Sequence, residues 1–348
     1  MTSVLIPISV LLAIGLVTIS SISAKLFAFQ LAVAIVGFVG VYVFGRLDWR
    51  ALLNYRWFIW SVYGIAVLML LIALFAAPVI RNTRSWIAFG IFSFQPVELA
   101  KIGLILVYAK YFSRRHLTVA RWPNILGSFV LFLIPALITL RLPDFGSTVV
   151  LFGIWFGFLL VSGLPRERLA AALLAFLVLG LVGWGYFLKP YQRARIVGLF
   201  FPEQHALTVN YSTIQSKIAI GSAGLWGKGY GQGSQTQLGF LSEPMNDFIL
   251  AAVVESWGLL GGLVVVGAFL ALIFRVLQIG LTAARNFEKF VCLGAALVFS
   301  IHFLFNAGST LGIFPVVGVP FPFLSYGGSN LIASFFLIAI VNAIAKDS

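Results

Sequence analysis

Long apolar runs dominate this chain, and each is about as long as a bilayer is thick. A membrane-spanning helix needs about 20 predominantly apolar residues. Ten stretches meet that description: 4–23, 26–45, 58–80, 96–112, 124–141, 147–163, 168–188, 247–274, 289–311 and 322–345. Composition agrees, with 61% of the 348 residues hydrophobic and only 9% charged, where soluble domains carry roughly 45–50% and 25%. That balance excludes a soluble enzyme and a disordered chain. Alternating segments are too few for a β-barrel. The expected fold is therefore all-α: a polytopic membrane protein of about ten transmembrane helices. Ser21 to Ala24 faintly resembles a cleavage site, but the first run lacks a basic leading segment and is read as a retained helix. The single cysteine, Cys292, lies in an apolar run, so neither an intramolecular disulfide nor a cysteine metal cluster is available.

The formal charge of +13 could suggest a nucleic-acid partner, but the basic residues are scattered between apolar runs. With the N-terminus in the cytoplasm, the inside segments hold thirteen of them: Arg46, Arg50, Arg56, Lys110, Arg114, Arg115, Arg121, Arg166, Arg168, Arg275, Arg285, Lys289 and Lys346. The short outside loops hold four: Lys25, Arg81, Arg84 and Arg141. This excess predicts an N-in, C-in topology. Most of the charge is then topogenic, and no nucleic-acid partner is expected. Residues 189–246 become a long extracytoplasmic loop between the seventh and eighth helices, within a single transmembrane domain spanning 1–348. A loop of that length in a compact bundle is usually functional.

Only ten acids are present, so each can be weighed. Asp48, Glu167, Glu288 and Asp347 fall in cytoplasmic loops or ends and read as solvated. Asp247 opens the eighth span behind Pro244, in the first helical turn. It is either an N-cap acid on the helix dipole or a base at the membrane–water boundary. Glu255 lies eight residues on, about 12 Å deeper and about 80° around the helix. An intramembrane acid is normally paired, and it is functional or a structural polar contact. Glu98 and Lys101, at i and i+3 after Gln95-Pro96, can neutralise each other on one helix face and read as support near a site. The positive-inside rule does not explain Arg193, Arg195, Lys217 and Lys228, which lie in the outer segment. They fit phosphate recognition or anionic lipid headgroups.

Two Gly- and Pro-rich stretches remain, Ile218 to Tyr230 and Asn306 to Asn330. Non-helical backbone at membrane depth is tolerated only where it is buried in protein or lines a cavity. The second stretch is therefore expected to line a polar cavity beside Asp247. His116, His205 and His302 are too far apart in sequence to argue for a metal site.

These residues together resemble the SEDS family (shape, elongation, division and sporulation), which includes RodA and FtsW. The resemblance runs from about Arg46 to Ile344. It is carried by Phe305-Asn306-Ala307-Gly308 and Pro315 through Ser329, by Tyr211 through Asp247, and by Arg84-Ser85-Trp86-Ile87, Gln95 through Ile102 and Pro143-Asp144-Phe145-Gly146. Gln215-Ser216-Lys217 and residues 233–238 look more like RodA than FtsW. One departure stands out: Met245-Asn246 precede Asp247 where the family usually has His-Thr.

The resemblance implies a peptidoglycan glycosyltransferase of the bacterial plasma membrane that polymerises lipid II into β-1,4 glycan strands on its outer face. It implies a role in elongation and shape, with a class B penicillin-binding protein as transpeptidase partner. Asp247 is then the catalytic base. Arg193, Arg195, Lys217 and Lys228, with Ser325 and Tyr326, are candidate substrate contacts; Glu98, Lys101 and Glu255 are supporting residues. The residues demand no metal and no cofactor, although a pyrophosphate leaves room for a divalent cation. The rival readings are a lipid II flippase or transporter, an FtsW-type division paralogue, and a non-catalytic membrane scaffold. The absence of a visible inverted repeat speaks against a transporter. Asp247 and the basic outer segment speak against a scaffold, which needs neither.

Overall fold

The computed structural model describes residues 2–47, 53, 55–78, 83–89, 92–115, 118, 121–186, 188–201 and 208–346. Asp48, Arg50, Arg81, His116, His205 and Asp347 lie outside the described residues. The helices are α1 (Thr2–Ile22), α2 (Ala24–Phe44), α3 (Arg56–Ala76), α4 (Pro96–Arg115), α5 (Trp122–Arg141), α6 (Phe145–Val161), α7 (Arg166–Tyr186), α8 (Pro190–Phe200), α9 (Tyr211–Ser222), α10 (Ser234–Gln237), α11 (Ile249–Thr282), α12 (Asn286–Leu311) and α13 (Gly328–Lys346). A short hairpin, β1 (Ile87–Phe89) and β2 (Phe92–Phe94), pairs Ile87 with Phe94 and Phe89 with Phe92.

Among the described residues, eight helices are long and apolar enough to cross a membrane: α1, α2, α3, α5, α7, α11, α12 and α13. This is a multi-pass membrane protein. Two further helices occupy the other expected positions. The 20-residue α4 carries Glu98, Lys101, Arg114 and Arg115, while α6 is apolar but has only 17 residues. Length and apolarity alone thus support eight of the ten expected spans, and helices stand at the positions of the other two.

Residues 189–246 are not one loop. They contain α8, α9 and α10. Their polar composition hid helices that bury only a few residues each, such as Gln192 and Gly198 on α8 and Ser216 and Ala219 on α9. Glu288 also departs from expectation. Rather than solvated, it is 3% exposed and stands in the first turn of α12, where the positive end of a helix dipole favours an acid. Glu167 is exposed, as expected.

The chain groups into two compact units. One comprises Tyr42–Lys189, Val276–Val298 and Leu337–Ser348. Within it, α3 and α4 approach closely because Gly103 faces the Tyr63 backbone; a Cβ there would sit 3.0 Å from Tyr63 Cα. Small residues at such crossings replace the hydrophobic effect as the means of helix association in lipid. Tyr108, Phe112, Phe158 and Phe290 form a ring cluster with centroids 5.4–6.3 Å apart. Tyr108 Oη, fully buried, donates to Ser128 O at 2.8 Å. Asp144 caps α6 by accepting from Ser147 N at 3.0 Å and also receives Gln95 Nε2 at 3.2 Å. The Glu98–Lys101 pair closes at 2.8 Å with both side chains buried. An intrahelical ion pair is what lets two charges persist inside an otherwise apolar helix face.

The other unit comprises Met1–Val41, Pro190–Arg275 and Phe299–Phe336. Its defining feature is a break in α11 at Gly258, whose φ of +71° interrupts the helix. In an unbroken helix the Leu259 and Leu260 amides would bond to Glu255 O and Ser256 O. Here they bond instead to Gly224 O at 3.0 Å and Leu225 O at 3.3 Å. The two freed carbonyls accept from Lys228 N at 2.9 Å and Gly229 N at 3.0 Å. Segment 224–229 thus splints the broken helix, and all four displaced backbone groups regain a partner. In an apolar surrounding each orphan would cost several kcal/mol.

Candidate functional site

Asp247 lies in the second unit described, in a turn over 244–248, two residues ahead of α11 rather than inside its first helical turn. It is half-buried. The main chain on its N-terminal side is held at three successive carbonyls. Tyr326 N donates to Met245 O at 2.8 Å. Ser325 Oγ donates to Asn246 O at 2.8 Å. Asn306 Nδ2, from α12, lies 3.2 Å from Asp247 O and 3.4 Å from Asn246 O, and donates also to Val319 O at 3.0 Å. The expected meeting of the 306–330 stretch with Asp247 is therefore present in the structure.

That stretch is itself anchored. Ser325 Oγ accepts from Phe321 N at 2.9 Å, so its hydroxyl both donates and accepts within the protein, and the residue is 5% exposed. Gln30 of α2 donates from Nε2 to Ser325 O at 3.1 Å and accepts from Gly327 N at 3.2 Å. Phe323, two residues earlier, is buried with φ +62°, a conformation costly for a bulky side chain and held by its surroundings. Tyr326 is half-buried and stacks obliquely on Phe29, centroids 5.9 Å apart.

Glu255 sits fully buried just before the α11 break. Its Oε1 accepts from Lys228 Nζ at 3.1 Å and Gln235 N at 2.9 Å, and its Oε2 from Thr236 N at 3.0 Å and Thr236 Oγ1 at 2.7 Å. Lys228 Nζ also reaches Ser234 Oγ at 3.0 Å. A buried carboxylate with this many donors is fully satisfied. Glu255 therefore ties the 228–236 segment to α11, and Lys228 is its counter-ion.

The other outer cations are arranged differently. Arg195 on α8 and Lys217 on α9 line one pocket together with Asn210, Thr213, Gly312 and Val316, and among the described residues no acid lines it. Arg195 donates to Val316 O at 2.8 Å, which sets its guanidinium. Lys217 is exposed and passes over Gly312, where a Cβ would come within 2.6 Å of its ammonium. Arg193 is half-buried on the same short helix, α8, and does not line the pocket. Glu98 and Lys101 belong to the other unit.

The sequence profile of the FtsW/RodA/SpoVE family, described as cell cycle protein, matches residues 1–348. The chain belongs to that family. It is 36% identical to the peptidoglycan glycosyltransferase MrdB of Escherichia coli (strain K12), over 82% of this chain and 77% of that protein. It is 31% identical to stage V sporulation protein E of Bacillus subtilis (strain 168), over 97% and 94%. Its fold matches a solved chain described under the structural coordination of polymerization and crosslinking by a peptidoglycan synthase complex, with a TM-score of 0.85, 28% identity, and 99% and 97% coverage.

In this FtsW/RodA/SpoVE chain, Asp247, Ser325 and Tyr326 lie together as one cluster, joined by Gln30 and Asn306, which sequence reasoning does not single out as site residues. Gln30 is the one amide in the 26–45 run. A lone polar residue in a spanning helix is a signal by itself, although its partners lie almost 300 positions away.

Proposed function

We propose that this protein is a peptidoglycan glycosyltransferase of the bacterial plasma membrane that polymerises lipid II on the outer face. The observation that carries the reading is a half-buried carboxylate, Asp247, on a turn fixed at three consecutive carbonyls. The two relatives and the solved complex named above support it. In this reading the Asp247 carboxylate takes the proton of the acceptor 4-hydroxyl. The freed oxygen attacks the anomeric carbon of the donor, the bond from that carbon to the pyrophosphate breaks, and its electron pair leaves with the lipid pyrophosphate. The α-linked donor becomes a β-1,4 linkage. A pyrophosphate leaves as a stable anion, so a carboxylic acid on the leaving side is not needed, unlike the carboxyl pair of glycosidases. Cations near the departing charge stabilise the transition state. Arg195 and Lys217, which share one pocket, are the leading candidates, with Arg193 on the same helix as Arg195. Lys228 is secondary because Glu255 already holds its charge. Among the described residues no group of three His, Cys, Asp or Glu side chains is placed to hold a divalent cation.

The RodA-like 215–217 and 233–238 runs support a part in elongation and shape, and the likeness to a chain of a solved peptidoglycan synthase complex supports a class B penicillin-binding protein as partner. Glu98 and Lys101 support the fold as a self-neutralised pair. We treat 1–348 as one transmembrane domain with 189–246 outside.

Purified protein with lipid II, alone and with that partner, should yield glycan polymer. Lipid II transfer across vesicles without polymer in either arm would favour the flippase instead. Orientation is tested separately. With Cys292 replaced, single cysteines at Leu238 and Arg115, both exposed positions, should react with an impermeant maleimide from opposite sides of the membrane. Reaction from one side would overturn N-in, C-in.

A further inference from the structure

We infer that Asn306 is a positioning residue, the group that sets the Asp247 turn in register for proton transfer, with Ser325 and Gln30 behind it. This rests on the reading of Asp247 as the base. Asn306 is 1% exposed. Its Nδ2 serves three carbonyl oxygens from two chain segments, at 3.0–3.4 Å. Its Oδ1 is buried without a partner. The orientation of the amide follows, because a flip would set Oδ1 against three carbonyl oxygens. A buried acceptor left unmade is costly, and an apolar residue of the same size would avoid that cost. Asparagine at this position therefore works through its donor. What the donor does is fix Asp247 O and Asn246 O relative to α12, while Val319 O ties the same amide to the segment running on to Ser325.

Ser325 repeats the logic from the other side. With both roles of its hydroxyl committed and little exposure, it holds Asn246 O rather than a sugar. Gln30 grips the main chain on either side of Tyr326, through Ser325 O and Gly327 N. Asn306 from α12 and Ser325 from the 312–327 connection thus converge on one five-residue turn, with Gln30 of α2 holding the Ser325 backbone behind them, and the turn's ionisable group is Asp247. A general base must sit within hydrogen-bond reach of its proton, and a displacement of about 1 Å can cost about a hundredfold in rate.

Asn306→Leu keeps the branched outline of the side chain and removes the unpaired Oδ1, at the cost of some added volume, and Asn306→Ala, which adds none, serves as its companion. Per folded molecule, kcat for lipid II polymerisation should fall by about 10–100-fold with KM changed by less than about twofold, because ground-state binding is untouched. The same substitution placed in an Asp247→Glu background should cost far less than in wild type, since both act through one carboxylate. Asn306→Asp, which puts acceptors against three carbonyls, should be at least as impaired as Asn306→Leu. Wild-type kcat per folded molecule in Asn306→Leu would overturn the inference, and so would full additivity with Asp247→Glu. Asp247→Asn separates the two claims. If Asp247→Asn is inactive while Asn306→Leu is not, only the positioning role falls. If Asp247→Asn polymerises normally, the base assignment falls with it.

Discussion

Asp247→Asn protein should insert, fold and bind lipid II, yet polymerise it about 10²–10⁴-fold more slowly than wild type. The substitution keeps size and hydrogen-bonding capacity and removes the basic lone pair. The turn around Asp247 is held through main-chain carbonyls, which the change leaves alone. An asparagine before a helix start is about as good as an aspartate, so a purely structural aspartate would tolerate it. The two readings of Asp247 thus predict opposite results. Asp247→Glu keeps the charge and moves it by one methylene, and its rate should fall between wild type and Asp247→Asn. The measurement is initial glycan-polymer formation by detergent-purified protein, normalised to folded protein, with lipid II binding measured alongside. Vigorous polymer formation by Asp247→Asn would sink the mechanism.

The parts of this fold that were legible in the sequence are those whose cause is local. Span positions follow from apolar runs, and the helices begin and end within a few residues of them, except that α11 runs on to Thr282 and α13 begins only at Gly328. The Glu98–Lys101 pair was legible because i and i+3 share a helix face. Asp247 and the 306–330 stretch were brought together by a rule about where irregular backbone can survive in a membrane. Causes that are distant in sequence stayed hidden. Glu255 announced itself as an acid needing a partner, but its donors come from 228–236, a segment that had to fold first. Helices α8 and α9 were invisible because polar, weakly amphipathic sequence reads as loop. Glu288 looked like a surface acid because a one-dimensional reading assigns loop ends to water. The break in α11 was equally hidden. Trp257-Gly258-Leu259 lies in an apolar run, and glycine is ordinary in transmembrane helices.

That break carries the second large effect. Gly258→Ala should sharply lower the yield and thermal stability of folded protein, while Gly267→Ala on the same helix should be neutral or slightly stabilising. Gly258 has φ +71° and ψ −172°, a region essentially reserved for glycine, where any other residue costs about 1–3 kcal/mol for the backbone alone. Sterics add to this. A Cβ on Gly258 would lie 2.1 Å from Leu225 O and 2.5 Å from Gly227 N, and both are backbone atoms of the splint, so no side-chain rotation relieves the contact. Gly227 is equally confined, with a Cβ position 2.4 Å from Ser256 O. Two glycines facing each other let the 224–229 segment come close enough to trade backbone hydrogen bonds with a helix. Pushing them apart strands Glu255 O, Ser256 O and the Leu259 and Leu260 amides together, and pulls Lys228 from the Glu255 carboxylate. Gly267 has nothing within 4 Å of its Cβ position, so there alanine should simply gain helix propensity, about 1 kcal/mol. Fluorescence-detected size exclusion and a thermal ramp in detergent compare the pair directly. Equal stability of the two variants would mean that the splint contributes nothing to the fold.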